Sequence, residues 1–452
     1  MGDQFDEAMS YRNLYKAMNA CARNVRWKDS VAGYTAVNGM ENIFKLRSEA
    51  LKGKYAIDPY QRFFVYEPKK RPVTSTRFKD RVFQRAFCDG GLYDDMTRPF
   101  VRTNCACQRR RGVDDAMDQM DALMQRYYNE QRVKAGARDE RHQGPFTASG
   151  WVLTIDVRGF FPNTQHGVAK DAVIKRTRDK RIAAEACAVI ESFTATALEE
   201  FLLAHGVERT AARRCANAVS RARSDAVRIG VERPEEAKAA AKKARAAIRE
   251  TIGQMYGIGE ADRAEFLQLA LFGKFRGIGL GSQVSQLVEL ATLDGLDHYI
   301  KERLGARYHI RYMDDIDIIC DDRERIGQWR QAIEAYMAGI GFEANEKSGI
   351  RPIKDGVRFL QWHFSLTDTG KVIRRVSPRN LKRERRRLRK FKERLEAGET
   401  TMTAIDDHFQ SWRANLERGN TYGEVVKMAQ YYKALFGVAP REPKRKKRRK
   451  RT

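Results

Sequence analysis

The sequence predicts an α+β protein in which small antiparallel sheets are combined with a large amount of helix. Residues 307–322, RYHIRYMDDIDIICDD, alternate apolar and polar positions on both sides of Asp314 and Asp315, a pattern that indicates a β-hairpin with an acidic tip. The short apolar run WVLTID at residues 151–156 is typical of a buried strand. Residues 168–268 are rich in Ala, Arg, Glu and Lys, which favour helix.

Length and charge limit the classes of protein that this chain can represent. Its 452 residues predict two or three domains. With 86 Lys and Arg against 59 Asp and Glu, the net charge is +27, so we expect a polyanionic partner, with nucleic acid as the first candidate.

The sequence also carries information about the compartment. No apolar run approaches the roughly 18 residues that span a bilayer, and the start, MGDQFDEAMS, lacks the layout of a signal peptide. The seven scattered cysteines fit reduced thiols better than a disulfide framework. We therefore expect a cytoplasmic protein without a membrane partner.

The two adjacent carboxylates at the hairpin tip require an explanation. Asp314 and Asp315 repel each other and contribute nothing to a core, so either a cation neutralises them or they form a solvated turn. Their context, Tyr312-Met313-Asp314-Asp315, resembles the Tyr-x-Asp-Asp signature on the palm hairpin of reverse transcriptases. The resemblance covers roughly residues 60–165 and 270–425, in the order of that family.

The resemblance implies a right-hand polymerase with fingers, a palm with an antiparallel sheet and a helical thumb, which copies an RNA template into cDNA by adding dNTPs to a DNA or RNA primer. Asp156-x-x-x-Phe-Phe resembles the first catalytic motif of the family. By that match Asp156, Asp314 and Asp315 are catalytic and hold two Mg²⁺ ions, with Mn²⁺ as a possible substitute and the Val157 carbonyl as a further ligand. Carboxylates suit Mg²⁺.

The same match gives a residue for nucleotide selection. Phe161 would be the steric gate that excludes a 2′-hydroxyl.

Three cations are expected near the triphosphate. The segment PKKRPV around Lys69 and Arg71 resembles the fingers turn that holds the triphosphate, and its alternative is a basic surface turn. Lys347 lies in a segment that resembles the lysine-bearing turn of the family, where it could protonate departing pyrophosphate. A plain surface lysine is the alternative there.

A glycine-rich loop, RGIGLGSQVSQ at residues 276–286, is expected to lie against the incoming nucleotide through Leu280, Gly281 and Gln286. Its Leu-Gly-x-x-x-Ser-Gln pattern resembles the reverse transcriptases of diversity-generating retroelements. An aliphatic residue at position 280 lacks the amide that would brace the nucleotide, so discrimination between bases would fall.

The remaining predicted contacts are with template and primer. They come from an Arg-Arg-Arg-Gly turn at a helix start, the hairpin tip, a segment resembling the primer grip, and a thumb helix crowded with cations. The residues are Arg109, Arg110, Arg111, Tyr312, Met313, Leu360, Trp362, Arg386 and Lys390.

These patterns divide the chain into seven segments. They are a helical lead-in (1–55), fingers (56–150), the first part of the palm (151–167), a helical insertion and connection between fingers and palm (168–268), the palm (269–376), a thumb (377–437) and a basic, disordered tail (438–452).

Three roles remain open. The loop at Leu280 favours error-prone cDNA synthesis in a diversity-generating retroelement. The enlarged insertion is compatible with an antiphage-defence reverse transcriptase, and its basic face could hold RNA or an accessory protein or could simply be solvated. A catalytically idle RNA-binding scaffold is the alternative from another class, although all three expected carboxylates are present.

Binding of nucleic acid should weaken steeply with salt, because Lys and Arg that neutralise phosphates release condensed counterions. If about six phosphates are neutralised, affinity for a labelled RNA should fall roughly 10³-fold between about 50 and 200 mM salt, as measured by fluorescence anisotropy. An affinity that does not depend on salt would contradict this.

Overall fold

The computed structural model describes residues 4–66, 70–136, 146–279 and 281–442, apart from the side chain of Arg71. It is a mixed α+β structure with small antiparallel sheets, so this part of the predicted fold class is confirmed. No helix in the described part of the chain is long and apolar enough to cross a membrane. Lys69, Leu280 and most of the basic tail lie outside the described residues.

The helices account for most of the regular structure. In chain order they are α1 (Gln4–Ala8), α2 (Tyr11–Ala22), α3 (Asp29–Ala32), α4 (Gly39–Leu51), α5 (Phe78–Phe87), α6 (Tyr93–Thr97), α7 (Val113–Lys134), α8 (Phe160–Asn163), α9 (His166–Arg176), α10 (Lys180–Ser192), α11 (Thr194–Ala204), α12 (Arg209–Glu232), α13 (Ala237–Gly253), α14 (Glu260–Phe272), α15 (Gln283–Thr292), α16 (Asp294–His298), α17 (Arg323–Gly339), α18 (Pro378–Glu396), α19 (Met402–Leu416) and α20 (Tyr422–Phe436).

The strands form three sheets. In chain order they are β1 (Gln61–Val65), β2 (Arg71–Ser75), β3 (Trp151–Asp156), β4 (Tyr308–Tyr312), β5 (Asp315–Cys320), β6 (Gly349–Pro352), β7 (Val357–Phe359), β8 (Trp362–Leu366) and β9 (Val372–Val376). The sheets have the strand orders β1-β2, β4-β5-β3-β6 and β7-β8-β9.

The chain divides into two compact units that alternate along the sequence. The first contains Met1–Gln108, Asp156–Gly305 and Gln331–Glu346, and the second contains Arg109–Ile155, Ala306–Arg330 and Lys347–Thr452. The division into seven linear segments stays a prediction.

The first unit contains the predicted helical insertion, which has a hydrophobic core of its own. Apolar side chains of α11, α12, α13 and α14 meet there, and Leu202, Val219, Ile248 and Phe266 are among its buried members. The helix propensity noted in the sequence is therefore matched by packing, so these helices do not depend on propensity alone.

The second unit contains the four-stranded sheet. β4 and β5 pair as an antiparallel hairpin in which Tyr312 lies opposite Asp315, as the alternation predicted. β3 pairs with β6 on its other side, and its last residue, Asp156, is where the chain passes into the first unit. In the same unit α18 packs against α19 and α20 around the buried Leu388 and Phe409.

A buried carboxyl group lies in the first unit. The Tyr55 hydroxyl donates to Asp80 over 2.6 Å, and the Asp58 backbone N–H donates to the other oxygen over 3.2 Å. Asp80 has no exposed surface, and burial raises its pKa from 3.8 to about 7 despite these hydrogen bonds.

The raised pKa of Asp80 makes the stability of the protein depend on pH. Between about pH 4 and 7 the folded state keeps a proton that the unfolded state has lost, so the free energy of unfolding falls as pH rises through this window. The Asp80→Asn variant lacks this titration. The difference in free energy of unfolding, variant minus wild type, should therefore rise by a few kcal/mol from pH 4 to pH 8. Urea unfolding at several pH values measures the difference. The exposed Asp94→Asn is the control, and a difference for Asp80→Asn that does not change with pH would contradict the prediction.

Candidate active site

The acidic turn is a two-residue connection between β4 and β5, formed by Met313 and Asp314. Met313 has a φ of 56°, and tight hairpin turns require this left-handed conformation. Asp314 and Asp315 are both half-buried. The structure thus places both carboxylates at the hairpin tip predicted from the sequence.

A buried arginine supports this turn from inside the hairpin. Arg311 has no exposed surface, and its Nη1 donates to the Met313 carbonyl over 2.9 Å. Sequence reasoning missed this residue, although a cation in the interior of an apolar alternating strand was a visible signal. A buried cation is costly unless its donors make hydrogen bonds. The bond to the Met313 carbonyl therefore fixes the position of the guanidinium and the conformation of the turn.

The neighbouring strands β5 and β3 are tied together by side chains. The Thr154 hydroxyl donates to a carboxylate oxygen of Asp317 over 2.6 Å. Asp317 is 2% exposed, and burial raises its pKa to about 7, with the Asp315 charge acting in the same direction. Thr154 stands two residues before Asp156 in β3, and Asp317 two residues after Asp315 in β5.

The other acids of the hairpin segment have structural partners. Asp321 accepts hydrogen bonds from Gln131 and Lys134. Asp322 accepts from the backbone N–H groups of Glu324 and Arg325 at the start of α17, where a carboxylate satisfies free amides. These contacts account for both acids without a metal.

Backbone contacts hold the chain on both sides of Asp156. Its carbonyl accepts from the Asn345 N–H over 2.7 Å, and the next residue, Val157, is buried and forms a β-bridge with Ala344. The Asp156 side chain is half-buried. Lys347, predicted to lie near the leaving pyrophosphate, is exposed.

Whether Mg²⁺ could bind to Asp156, Asp314 and Asp315 depends on the kind of donor atoms that they offer. Among the described residues, no three His, Cys, Asp or Glu side chains already form a group that could hold a metal ion. Mg²⁺ usually takes only one or two protein carboxylates and completes its shell with waters and substrate phosphate oxygens. The half-buried carboxylates of Asp156, Asp314 and Asp315 are suitable donors by this criterion.

Part of the predicted nucleotide-binding region is assembled within the first unit. The Ile278 N–H donates to the Phe161 carbonyl over 2.9 Å, and the Gly277 N–H donates to the Thr164 carbonyl over 2.9 Å. The segment that follows Asp156 therefore runs beside the glycine-rich loop, although more than a hundred residues separate them along the chain.

The loop also lies close to the β1-β2 hairpin. A Cβ at Gly279 would lie 2.3 Å from the Phe193 ring and 3.0 Å from the Thr74 carbonyl, so only glycine fits there. Arg71 is the first residue of β2, opposite Val65, but its side chain, like Lys69 and Leu280, is outside the described part. The structure therefore brings together the backbone of this predicted region.

A cavity of about 290 Å³ lies beside the start of α15. It contains two predicted nucleotide-binding residues, Gly281 and Gln286, and several residues that sequence reasoning missed. The lining is Cys21, Arg81, Gln84, Arg85, Tyr93, Cys107, Gly281, Ser282, Gln283, Gln286 and Leu287.

The polar groups of this cavity are incompletely paired. Gln84 is 1% exposed, and its Nε2 has no hydrogen-bond partner among the described residues. The Arg81 Nε and the Gln283 Oε1 are also buried without a described partner. Such atoms are costly to bury unless a ligand or water pairs with them, so the cavity is suited to a polar ligand. Arg81, Gln84 and Arg85 were missed because they lie on the polar side of α5, whose apolar side marked it as core.

The predicted template and primer residues are mostly at the surface. Arg109 and Arg110 are exposed and Arg111 is half-buried, just before α7. Arg386 and Lys390 are exposed one helical turn apart on α18.

The predicted primer grip includes a strained hairpin turn. Leu360 and Gln361 connect β7 to β8 with φ values of 50° and 69°. The ring of Phe359, the residue before this turn, lies 6.5 Å from that of Tyr312, next to the acidic turn. Trp362 is 4% exposed and lies against Gly419, so its ring is largely within the fold.

Left-handed backbone marks several of the predicted contact residues. The described non-glycine residues with positive φ are Asn24, Cys107, Arg110, Met313, Leu360 and Gln361. Three of these, Arg110, Met313 and Leu360, are among the predicted template and primer contacts. Such conformations cost free energy in non-glycine residues, and at Met313 and Leu360 they belong to the tight turns that connect paired strands.

Comparison with known proteins adds no family assignment. No protein-family model matches the chain, and no curated protein gives a significant match.

The support from Arg311 can be tested by substitution. Arg311→Met should lower the free energy of unfolding by about 2 kcal/mol, because it removes a hydrogen bond from a charged group and leaves a carbonyl unpaired. Arg311→Lys should give a smaller loss, since it keeps the charge without the planar fork of donors. Chemical denaturation measures both. Arg307→Met, at an exposed position just before β4, is the control, and an equal effect at both sites would contradict a special role for Arg311.

Proposed function

We propose that this chain is a reverse transcriptase, an RNA-directed DNA polymerase of the right-hand type. The observation that carries the proposal is the position of β3 beside β5 in one sheet, tied by Thr154 and Asp317. One strand ends at Asp156 and the other begins at Asp315. Residues from distant parts of the sequence thus supply the acids expected of a polymerase palm.

In this proposal Asp156, Asp314 and Asp315 hold two divalent cations, Mg²⁺ or its substitute Mn²⁺. Bound there, the metal ions would lower the pKa of the primer 3′-hydroxyl and neutralise the triphosphate. The 3′-oxygen forms a bond to the α-phosphorus of the dNTP, the bond from that phosphorus to the β-phosphate bridging oxygen breaks, and pyrophosphate leaves. Arg311 keeps the acidic turn in the conformation that presents the carboxylates.

The first unit supplies groups for nucleotide selection. Phe161 acts as the gate against a 2′-hydroxyl, and its carbonyl is held by the glycine-rich loop. Gly281 and Gln286 are joined in the cavity by Arg81 and Arg85, whose charges suit phosphate oxygens. Lys69, Arg71 and Lys347 keep their proposed roles at the triphosphate and pyrophosphate.

The template and primer are proposed to bind through both strained turns and the thumb. Met313 and Leu360 present backbone and apolar side chains near the primer end. Arg386 and Lys390 lie on the exposed face of α18, whose opposite face is buried through Leu388. This helix therefore has cations free to follow a duplex backbone.

We extend the proposal to error-prone cDNA synthesis in a diversity-generating retroelement. Its support is the sequence pattern of Leu280, Ser285 and Gln286. The antiphage-defence role is the alternative for the same chemistry.

Primer extension on a defined RNA template tests the polymerase proposal. Wild type should extend a primer with dNTPs in the presence of Mg²⁺, and Asp315→Asn should lower the rate at least about a thousandfold, because several kcal/mol of charge stabilisation are lost. RNA affinity should remain close to that of wild type. Asp322→Asn, which removes an acid that caps α17, is the matched control and should remain active.

An idle RNA-binding scaffold gives a different result in this assay. It would bind RNA with either residue at position 315 and would extend the primer with neither. That result, or full activity of Asp315→Asn, would overturn the proposed function.

A further inference from the structure

Helix α13 of the helical insertion presents a surface that its own fold does not use. Its apolar face is buried through Ala240, Ile248 and Ile252, and the last two belong to the core shared with α11, α12 and α14. Packing therefore accounts for that face and leaves the opposite face to solvent.

An exposed flank of α13, beside its buried face, carries a stripe of cations. Lys238, Lys242, Arg245 and Arg249 are exposed, and their spacing of four, three and four residues places them on one side of the helix. None of the four forms an ion pair among the described residues. With Lys243 the helix has five cations and one acid, Glu250, so its side-chain charge is 5 − 1 = +4.

This arrangement is unfavourable for the helix itself. Like charges three or four residues apart repel and destabilise an isolated helix by roughly 0.2–0.5 kcal/mol per pair. Lys238–Lys242, Lys242–Arg245 and Arg245–Arg249 are three such pairs. Since these cations do not assist folding, a polyanion bound on this face is the simplest way to offset their repulsion.

Exposed aromatic rings lie in the same part of the insertion. The Arg245 guanidinium is 5.9 Å from the centre of the Phe272 ring, and the Phe272 side chain is 61% exposed. Tyr256, just after α13, is 89% exposed. Exposed rings beside cations are typical of surfaces that bind single-stranded nucleic acid, because bases stack on the rings while the cations follow the backbone.

We propose that the α13 stripe, formed by Lys238, Lys242, Arg245 and Arg249 with Phe272 beside it, binds a single strand of nucleic acid. The stripe is about 16 Å long at 1.5 Å per residue. The aromatic rings favour this partner over an acidic protein, which would need only the charges.

The test compares two full-length variants that each lose two charges. Lys242→Ala with Arg245→Ala removes the middle of the stripe. Lys301→Ala with Arg303→Ala removes two exposed cations elsewhere in the same unit that form no ion pair among the described residues. Alanine favours helix and relieves the repulsion, so the stripe variant should fold at least as well as wild type, as circular dichroism can verify.

Affinity for a labelled single-stranded RNA and for a DNA of the same sequence is measured over a range of salt concentrations, without metal ions or dNTPs. The stripe variant should reduce the slope of log affinity against log salt by about 1.4, which is two phosphate contacts at about 0.7 each. At about 150 mM salt this corresponds to an affinity roughly tenfold lower. Phe272→Ala should lower affinity about fivefold or more without changing the slope, since it removes stacking only.

Binding through the stripe to either RNA or DNA supports the proposal. An unchanged slope and affinity in the stripe variant would overturn it, and this is the result expected if the stripe binds an acidic protein instead. An equal loss in the Lys301 and Arg303 control would also overturn it. The assay involves no catalysis. A chain that fails to extend primers can still show the stripe effect, and a polymerase can lack it.

Discussion

The hydrogen bond between Thr154 and the buried carboxyl group of Asp317 is the contact on which the rest of this account depends. It joins residues 163 positions apart and ties β3 to β5 in the four-stranded sheet. A buried carboxyl group without a partner would be strongly destabilising, and even with Thr154 its pKa is raised to about 7. The strand order therefore has to bring a donor to Asp317. The same order makes the strand that ends at Asp156 the neighbour of the strand that begins at Asp315.

The long separation between these strands is compatible with a stable sheet because the intervening chain has a hydrophobic core of its own. Helices α11 to α14 bury a separate hydrophobic core, so they do not depend on the sheet for their apolar contacts. The entropy cost of closing a loop also grows only slowly with its length. An insertion of this size can thus be accommodated between two strands, and its outer surface remains available for the nucleic-acid binding proposed for α13.

Local patterns in the sequence predicted the elements but not all of their environments. Alternation located the β4-β5 hairpin, and an apolar run located β3. Period-two spacing put Asp317 on the same face as Asp315, but it could not show that the sheet buries it, since burial depends on strand order. The cavity was also unpredictable, because Cys21, Gln84 and Gln283 come together only through the packing of α2, α5 and α15. Arg311 was overlooked because a lone cation in a strand is usually read as an edge residue, whereas here it is buried and donates to the turn.

Binding of Mn²⁺, followed by electron paramagnetic resonance in the presence of a dNTP, tests most directly whether Asp156 and the hairpin acids share metal ions. The comparison requires wild type, Asp156→Asn, Asp315→Asn and the double variant. Our account predicts that each single substitution releases bound Mn²⁺ and that the double variant is little worse than either one, because ligands of a shared site are not additive. Undiminished Mn²⁺ binding by Asp156→Asn, or effects of the two substitutions that simply add, would contradict it.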